Sequence, residues 1–299
     1  MPQFTPRPGQ IHVCLTFDDN FWAPAYALMR SACLFTKRRA DLVFHLLHRP
    51  LAPEHRADLD RIVDEFEATL VYYDLDRAPV FADIAARMPY NKRLTNIVYA
   101  RLVIDRILPD QIERVLYLDC DMLIKAPLET LFERDLNGHP IAAAPEPFAV
   151  RITGGRDLIR NRDIFDPADP YFNAGLILID LRQWREADIL GRLEAALADG
   201  TMARIYYDQD FLNLVFKNQW LVLERAWNVI DARHAHEPLD CRILHYTGER
   251  KPWHLISGTA FAKLYRHVMT NELYYRFMRH RWRVYWRKKF NRLLGRKPA

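Results

Sequence analysis

The chain has 299 residues, half of them apolar and only 10 of them glycine, enough for one large α/β core and unlike a disordered or collagen-like chain. Its net charge of +5 is uneven: ten Lys and Arg and no acid follow Glu272, which leaves residues 1–272 with 33 basic against 38 acidic side chains. That acidic body argues against a nucleic-acid-binding protein, and four scattered cysteines without a CxxC pair (Cys14, Cys33, Cys120, Cys241) argue against a disulfide framework or a zinc site.

In chain order, "IHVCLTF" (11–17) predicts a buried strand that runs into the polar turn Asp18-Asp19-Asn20. A helix pattern follows in "APAYALMRSACLF", then a strand in "DLVFHLL" and a helix in "APEHRADLDRIVDEF", with Pro53 near its start. "TLVYYDL" is a third strand. Residues 76–93 form a looser, proline-punctuated connection, "LTNIVYARLVIDRIL" a helix, and "RVLYLD" a fourth strand. Strand alternating with helix predicts a mainly parallel sheet, whose ligands bind beyond the carboxyl ends of its strands. Asp18–Asn20 and Asp119/Asp121 both stand at such ends. In the second half, "PIAAAPE", "YFNAGLILIDL", "WLVLE" and "CRILHYTG" read as strands. "DQDFLNLVF" opens a helix with acids in its first turn, and a helical region follows Pro252-Trp253. No linker separates two folded domains.

The stretch "RVLYLDCDMLI" ends a hydrophobic strand in two carboxylates one residue apart. Like charges that close repel unless a proton or cation lies between them, and carboxylates suit Mg²⁺ or Mn²⁺. The bland alternative is that one aspartate starts a turn and the other caps a helix. A phosphohydrolase of the haloacid dehalogenase type shares the Asp-x-Asp look, but there the motif usually opens the chain, and here it follows 118 residues. "HYTGERKPWH" (245–254) adds an imidazole at His245, a permissive turn at Gly248 and a cation at Lys251, its base stiffened by Pro252-Trp253. Two acids and an imidazole make an octahedral Mn²⁺ site with positions left for diphosphate oxygens and water.

The ordered motifs "FDDNF", "YARL", "RVLYLDCDMLI", "YFNAGLILIDLRQW", "DQDFLN" and "HYTGERKPWH" resemble those of the family 8 glycosyltransferases, especially bacterial lipopolysaccharide galactosyl- and glucosyltransferases, over about residues 11–255. The resemblance implies a GT-A fold, with a Rossmann-like mixed sheet flanked by helices. It also implies transfer of a hexose from a UDP-sugar to an acceptor hydroxyl, with retention at the anomeric carbon. On that pattern Asp119, Asp121 and His245 would hold Mn²⁺ (Mg²⁺ as the alternative) against the diphosphate, with Cys120 between the two acids. Asp18, Asn20 and Phe21 would contact the uridine, and Arg101 the donor sugar or diphosphate. Asn173, Ala174, Gly175, Asp208 and Gln209 would line the sugar, and Gly248 and Lys251 would bind diphosphate. Asp208 and Gln209 are the candidate catalytic residues. They stand nearest the anomeric carbon if retention is covalent; front-face attack, with the leaving phosphate taking the acceptor's proton, is the other route. The chain departs from the pattern at Glu146, where close relatives carry Asp on the donor or acceptor side, at Phe21, where a relative has Tyr, and most of all over 76–93.

In "RHRWRVYWRKKFNRLLGRK", Trp282, Tyr285, Trp286, Phe290, Leu293 and Leu294 recur at helical spacing among arginines and lysines. Such a helix suits an interface carrying anionic lipid; a helix packed on the domain with a solvated basic face is the alternative. The expected division is a GT-A domain over 1–258 and a basic amphipathic tail over 259–299. With no apolar core in "MPQFTPRPGQ" and no run of about 18–20 apolar residues, the expected location is cytoplasmic, peripheral on the inner face of the cytoplasmic membrane. The acceptor would be a glycolipid or other surface glycan. An Asp-x-Asp phosphohydrolase and a catalytically inactive nucleotide-binding scaffold are the competing functions.

Overall fold

The computed structural model describes residues 4–88, 95–148, 163–166 and 168–293. Its first three strands, β1 (Ile11–Phe17), β2 (Leu42–His48) and β3 (Thr69–Asp74), run parallel, joined by helices α1 (Trp22–Leu34) and α2 (Pro53–Phe66). β1 and β2 are buried almost throughout, as strands covered on both faces must be. β4 (Arg114–Leu118) adds to the other side of β1, also parallel. The order then continues β7 (Phe172–Asp180), β6 (Ile141–Pro145) and β8 (Trp220–Val222), with β7 antiparallel to both of its neighbours. The result is a mixed seven-stranded sheet ordered β3-β2-β1-β4-β7-β6-β8.

This order explains why two distant acidic clusters meet. The chain grows outward from β1 to β3, then returns to place β4 against β1, with Leu15 opposite Leu118. The gap between the carboxyl ends of β1 and β4 is a topological switch point, where open α/β sheets bind ligands. Asp18 follows one of those strands and Asp119 the other. A small second sheet completes the arrangement. β5 (Met122–Ile124) starts directly after Asp121 and pairs antiparallel with β10 (Ile243–His245), which pairs in turn with β9 (Val229–Ile230). Its register sets His245 opposite Met122, and Tyr246 N donates to Asp121 O (3.0 Å).

Several local expectations differ. The segment read as one helix over 94–108 is a 3-10 run, Asn96–Val103, followed by the single α-helical turn α4 (Ile104–Ile107). Tyr99 to Val103 are buried consecutively rather than along one stripe, and Arg101 Nε donates back three residues to Val98 O (3.2 Å), so tertiary contacts override the α pattern. The connection from residue 76 contains α3 (Pro79–Arg87): Pro79 starts this helix instead of interrupting it. Residues 89–93 of that connection lie outside the described residues. The third strand of the small sheet, β9, has only two residues and no periodicity to announce it.

Helices cover both faces. α1 and α2 lie over a core that includes Leu15, Leu28, Phe44 and Leu116. α3, α4, α6 (Leu181–Glu186, after the short α5, Glu129–Phe132), α7 (Ile189–Ala198), the short α8 (Thr201–Arg204) and α9 (Tyr207–Val215) cover the other, around Tyr99, Tyr117, Ile179 and Trp184. Each such side chain contributes about 1.5–3 kcal/mol by leaving water. α10 (Ala262–Met269) and α11 (Asn271–Leu293) complete the fold. Tyr265, Met269, Leu273 and Phe277 belong to the same core as α1, so packing on the domain continues to Phe277, well past residue 258. Beyond it Trp282, Tyr285, Trp286 and Phe290 are exposed. Leu294 lies outside the described residues. Among the described residues no helix is long and apolar enough to cross a membrane.

The second core contains an imidazole pair. His12 Nδ1 lies 3.0 Å from His45 Nε2, and His45 Nδ1 lies 3.1 Å from the Tyr73 hydroxyl. Burial lowers His12 to about 4 and His45 well below its ordinary value. A histidine depressed on folding stabilises above the unfolded pKa and loses that contribution as pH falls through the folded one. His12 alone should therefore cost about 2 kcal/mol of stability between pH 7 and pH 5, with His45 adding to it. Urea denaturation at the two pH values checks this.

Candidate active site

Asp119 leaves β4 with its amide donating to Gly175 O on β7 (2.8 Å). Its Oδ1 accepts from Arg101 Nη2 (2.9 Å) and from the Tyr117 hydroxyl (2.8 Å). Oδ2 turns the other way, 3.7 Å from His245 Nε2. Asp121 Oδ1 lies 3.1 Å from the same nitrogen, and its Oδ2 accepts from Lys251 Nζ (2.7 Å), which also bonds Tyr246 O. One ligand atom from each of Asp119, Asp121 and His245 fits within 4.8 Å of the others. The three residues thus fit a divalent cation held by two carboxylate oxygens and an imidazole nitrogen.

The imidazole is prepared for this by a chain that starts at a backbone amide. Gly175 N can only donate, and it donates to Asn173 Oδ1 (3.0 Å). Asn173 Oδ1 also accepts from Asn228 Nδ2 (3.0 Å), so Asn228 presents Oδ1 to His245 Nδ1 (3.1 Å). His245 then carries a proton on Nδ1, which leaves Nε2, on the carboxylate side, as the nitrogen that can ligate a cation. Gly175 has to be glycine for reasons of space. A Cβ there would lie 2.3 Å from His245 Cε1 and 2.7 Å from Asp119 Oδ2.

Arg101 is the other organiser. It is buried, lies over the Tyr117 ring, donates to Ala174 O (2.5 Å), and places Nε 2.7 Å from Asp208 Oδ2. Burial works against its charge, but the Asp119 and Asp208 carboxylates outweigh that and raise its pKa above the ordinary value. Asp208 shares this cation with Asp119, and for Asp208 burial wins: its pKa rises to about 6 despite Arg101. Desolvation also works against the Asp121 anion, yet Lys251 and His245 hold it below the usual carboxylate range.

Two cavities meet at the acid pair. One, of 290 Å³, lies at the β1/β4 switch point and is lined by Asp18, Phe21, Ile97, Arg101 and Cys120. The other, of 790 Å³, opens between Glu146, Asn173, Asp231, Arg233 and His245. Asp119, Asp121, Tyr206 and Gln209 border both.

Most of the residues expected from sequence come together here, some in other roles. Gln209 Oε1 accepts from Ala174 N (3.1 Å) and Asn173 Nδ2 (3.2 Å), so its carbonyl oxygen is engaged by donors on two sides. Glu146 reaches Asn173 Nδ2 (2.8 Å). Asn20 is exposed, with its amide donating to Asp18 Oδ1 (2.9 Å). The Gly248 amide is engaged by Asp231 Oδ1 (2.9 Å). Cys120 is buried, with Sγ toward Thr16 O (3.6 Å). Asn228, Tyr117 and Asp231 escaped the sequence reading. Asn228 had one available signal, a lone amide side chain inside the apolar run "AWNVI", and buried polar groups have partners.

The family model described as glycosyl transferase family 8 matches residues 12–257. The chain is 26% identical to glycosyltransferase GlyF of Streptococcus pneumoniae over 85% of its own length, and the matched stretch is 60% of that longer protein. It is 24% identical to a lipopolysaccharide 1,2-glucosyltransferase of Escherichia coli, covering 84% of this chain and 75% of that one. In three dimensions it is similar to the galactosyltransferase LgtC, solved with donor and acceptor sugar analogues. The TM-score is 0.70 at 23% identity, over 87% of this chain and 95% of that one. With its switch-point acids, mixed sheet and matched motifs, the chain belongs to glycosyltransferase family 8 and has the GT-A type of fold.

Proposed function

We propose that this glycosyltransferase is a Mn²⁺-dependent, retaining hexosyltransferase. It would move galactose or glucose from a UDP-sugar to a hydroxyl of a lipopolysaccharide or other surface glycan. The observation that carries the proposal is the convergence of Asp119, Asp121 and His245 with Lys251 where the two cavities meet.

The smaller cavity suits the nucleotide: Phe21 offers an aromatic face to a base and Asp18 an acceptor for its polar edge. The larger suits the hexose and its acceptor, with Glu146 and Asn173 as hydrogen-bonding groups. A bound divalent ion supplies positive charge against the leaving diphosphate. Lys251 neutralises Asp121 in the free protein and is placed to turn to a phosphate oxygen when that aspartate gains another partner. Arg101 donates to Asp119 Oδ1 and so fixes which of its oxygens faces His245. Gln209 would have to give up two hydrogen bonds to act as a nucleophile, and Asp208 is buried against Arg101. Both facts favour front-face attack, with the departing phosphate taking the acceptor's proton.

The phosphohydrolase reading is not favoured, because Arg101 and Tyr117 occupy one oxygen of Asp119, the residue that would be its nucleophile. We propose further that the exposed part of α11 attaches the enzyme to anionic lipid at the inner face of the cytoplasmic membrane. Deleting everything from Leu273 would also remove core side chains, so substituting Trp282 and Trp286 is the cleaner probe.

The deciding experiment is UDP release from a panel of UDP-sugars with Mn²⁺ or with EDTA. Slow hydrolysis of one donor, lost in EDTA, is expected. Phosphate release from simple phosphomonoesters, with every UDP-sugar left intact, would overturn the proposal.

A further inference from the structure

Leu255 and Ile256 follow the Lys251–His254 turn and are 73% and 93% exposed, beside a turn whose lysine bonds Asp121. Two consecutive aliphatic side chains so exposed form an apolar point on an otherwise polar rim, the kind of surface that an apolar phase can cover. The turn is fastened to α11 at two points. Arg281 Nη2 lies 3.0 Å from His254 Nε2, and the Tyr274 hydroxyl donates to His254 O (3.4 Å). Tyr285 stands one helical turn beyond Arg281 on the same face and is exposed, with exposed Trp282 beside it. The exposed loop and the exposed half of the helix are therefore neighbours.

We infer that Leu255 and Ile256 form a second lipid contact, which seats the mouth of the active site against the membrane. The inference rests on the membrane reading of α11 given above. A helix lying on a surface by itself leaves the domain free to roll about the helix axis. A second anchor off that axis removes the rotation and fixes where the crevice faces. Charge selects the occupant: no acid follows Glu272, and Arg279, Arg283, Arg287 and Lys289 lie along the helix, so anionic lipid is favoured. A soluble polyanion would satisfy the arginines but leave Leu255 and Ile256 in water.

The test places an environment-sensitive fluorophore on Ile256→Cys. The four native cysteines are buried, so the new thiol is the accessible target. Vesicles of phosphatidylethanolamine and phosphatidylglycerol should shift its emission to the blue. Leu255→Ser combined with Ile256→Ser should weaken vesicle co-sedimentation about tenfold while Mn²⁺-dependent UDP binding stays unchanged. Co-sedimentation that depends on Trp282 and Trp286 but brings no shift at position 256 would overturn this inference and leave the tail reading standing. Absence of any co-sedimentation would overturn both. A shift with phosphatidylcholine alone as large as with the anionic mixture would overturn the choice of anionic lipid.

Discussion

Asp119→Asn and Asp121→Asn should each abolish Mn²⁺-dependent binding of UDP and lower UDP-sugar turnover by about a thousandfold. Each loss also carries a cost to folding, with a different cause. Asp121 engages Lys251 and His245. An amide at 121 removes one metal ligand and the carboxylate that faces the largely buried Lys251 ammonium, leaving that ammonium Tyr246 O, so Asp121→Asn should cost about 1–3 kcal/mol of stability. Asp119 also receives Arg101 and Tyr117. An amide there loses half the countercharge of a buried guanidinium, though Asp208 and Ala174 O remain. Asp119→Asn should therefore cost about 1–2 kcal/mol of stability beyond its loss of binding. Calorimetry with UDP and Mn²⁺, beside urea denaturation, separates the two effects. Wild-type Mn²⁺-dependent UDP affinity in either variant would rule out the metal site.

Gly175→Ala should be nearly as damaging, although it removes no functional group. The added methyl would sit 2.3 Å from His245 Cε1, 2.7 Å from Asp119 Oδ2 and 3.0 Å from Asn173 Oδ1. None of the three is a loose side-chain tip: His245 is held by Asn228, Asp119 by Arg101 and Tyr117, and Asn173 by Glu146. Relief must come from moving metal ligands apart, so Mn²⁺ affinity should fall about a hundredfold, with a stability cost of about 1–3 kcal/mol. Gly258→Ala is the control, because its nearest heavy atom is Arg250 Nη1 at 4.0 Å. If Gly175→Ala binds Mn²⁺ and UDP as tightly as Gly258→Ala, the close approach of β7 to the ligands has no functional consequence.

Asp119, Asp121, His245 and Lys251 could be named from sequence because each carries chemistry that stands out against its surroundings. Acids that end an apolar strand, and an imidazole and a lysine around a turn, have few structural uses. Local pattern also determined the β1 to β4 half of the sheet, where strands buried on both faces alternate with helices. Only the tertiary structure decided how these residues act. The backbone amide of Gly175 sets the tautomer of His245 through two asparagines, a relay among residues 173, 175, 228 and 245 that no local spacing encodes. Long-range burial turned the expected helix around Arg101 into a 3-10 run and gave that arginine two carboxylates to organise. The boundary of the tail also had to come from packing. Periodicity marks α11 as aromatic and basic, but only the contacts of Leu273 and Phe277 with the core show where the helix leaves the domain. Sequence displays the side chains whose character is local. Partners far apart in the chain are chosen by the folded topology, because a hydrogen bond depends on distance in space and not on separation along the chain.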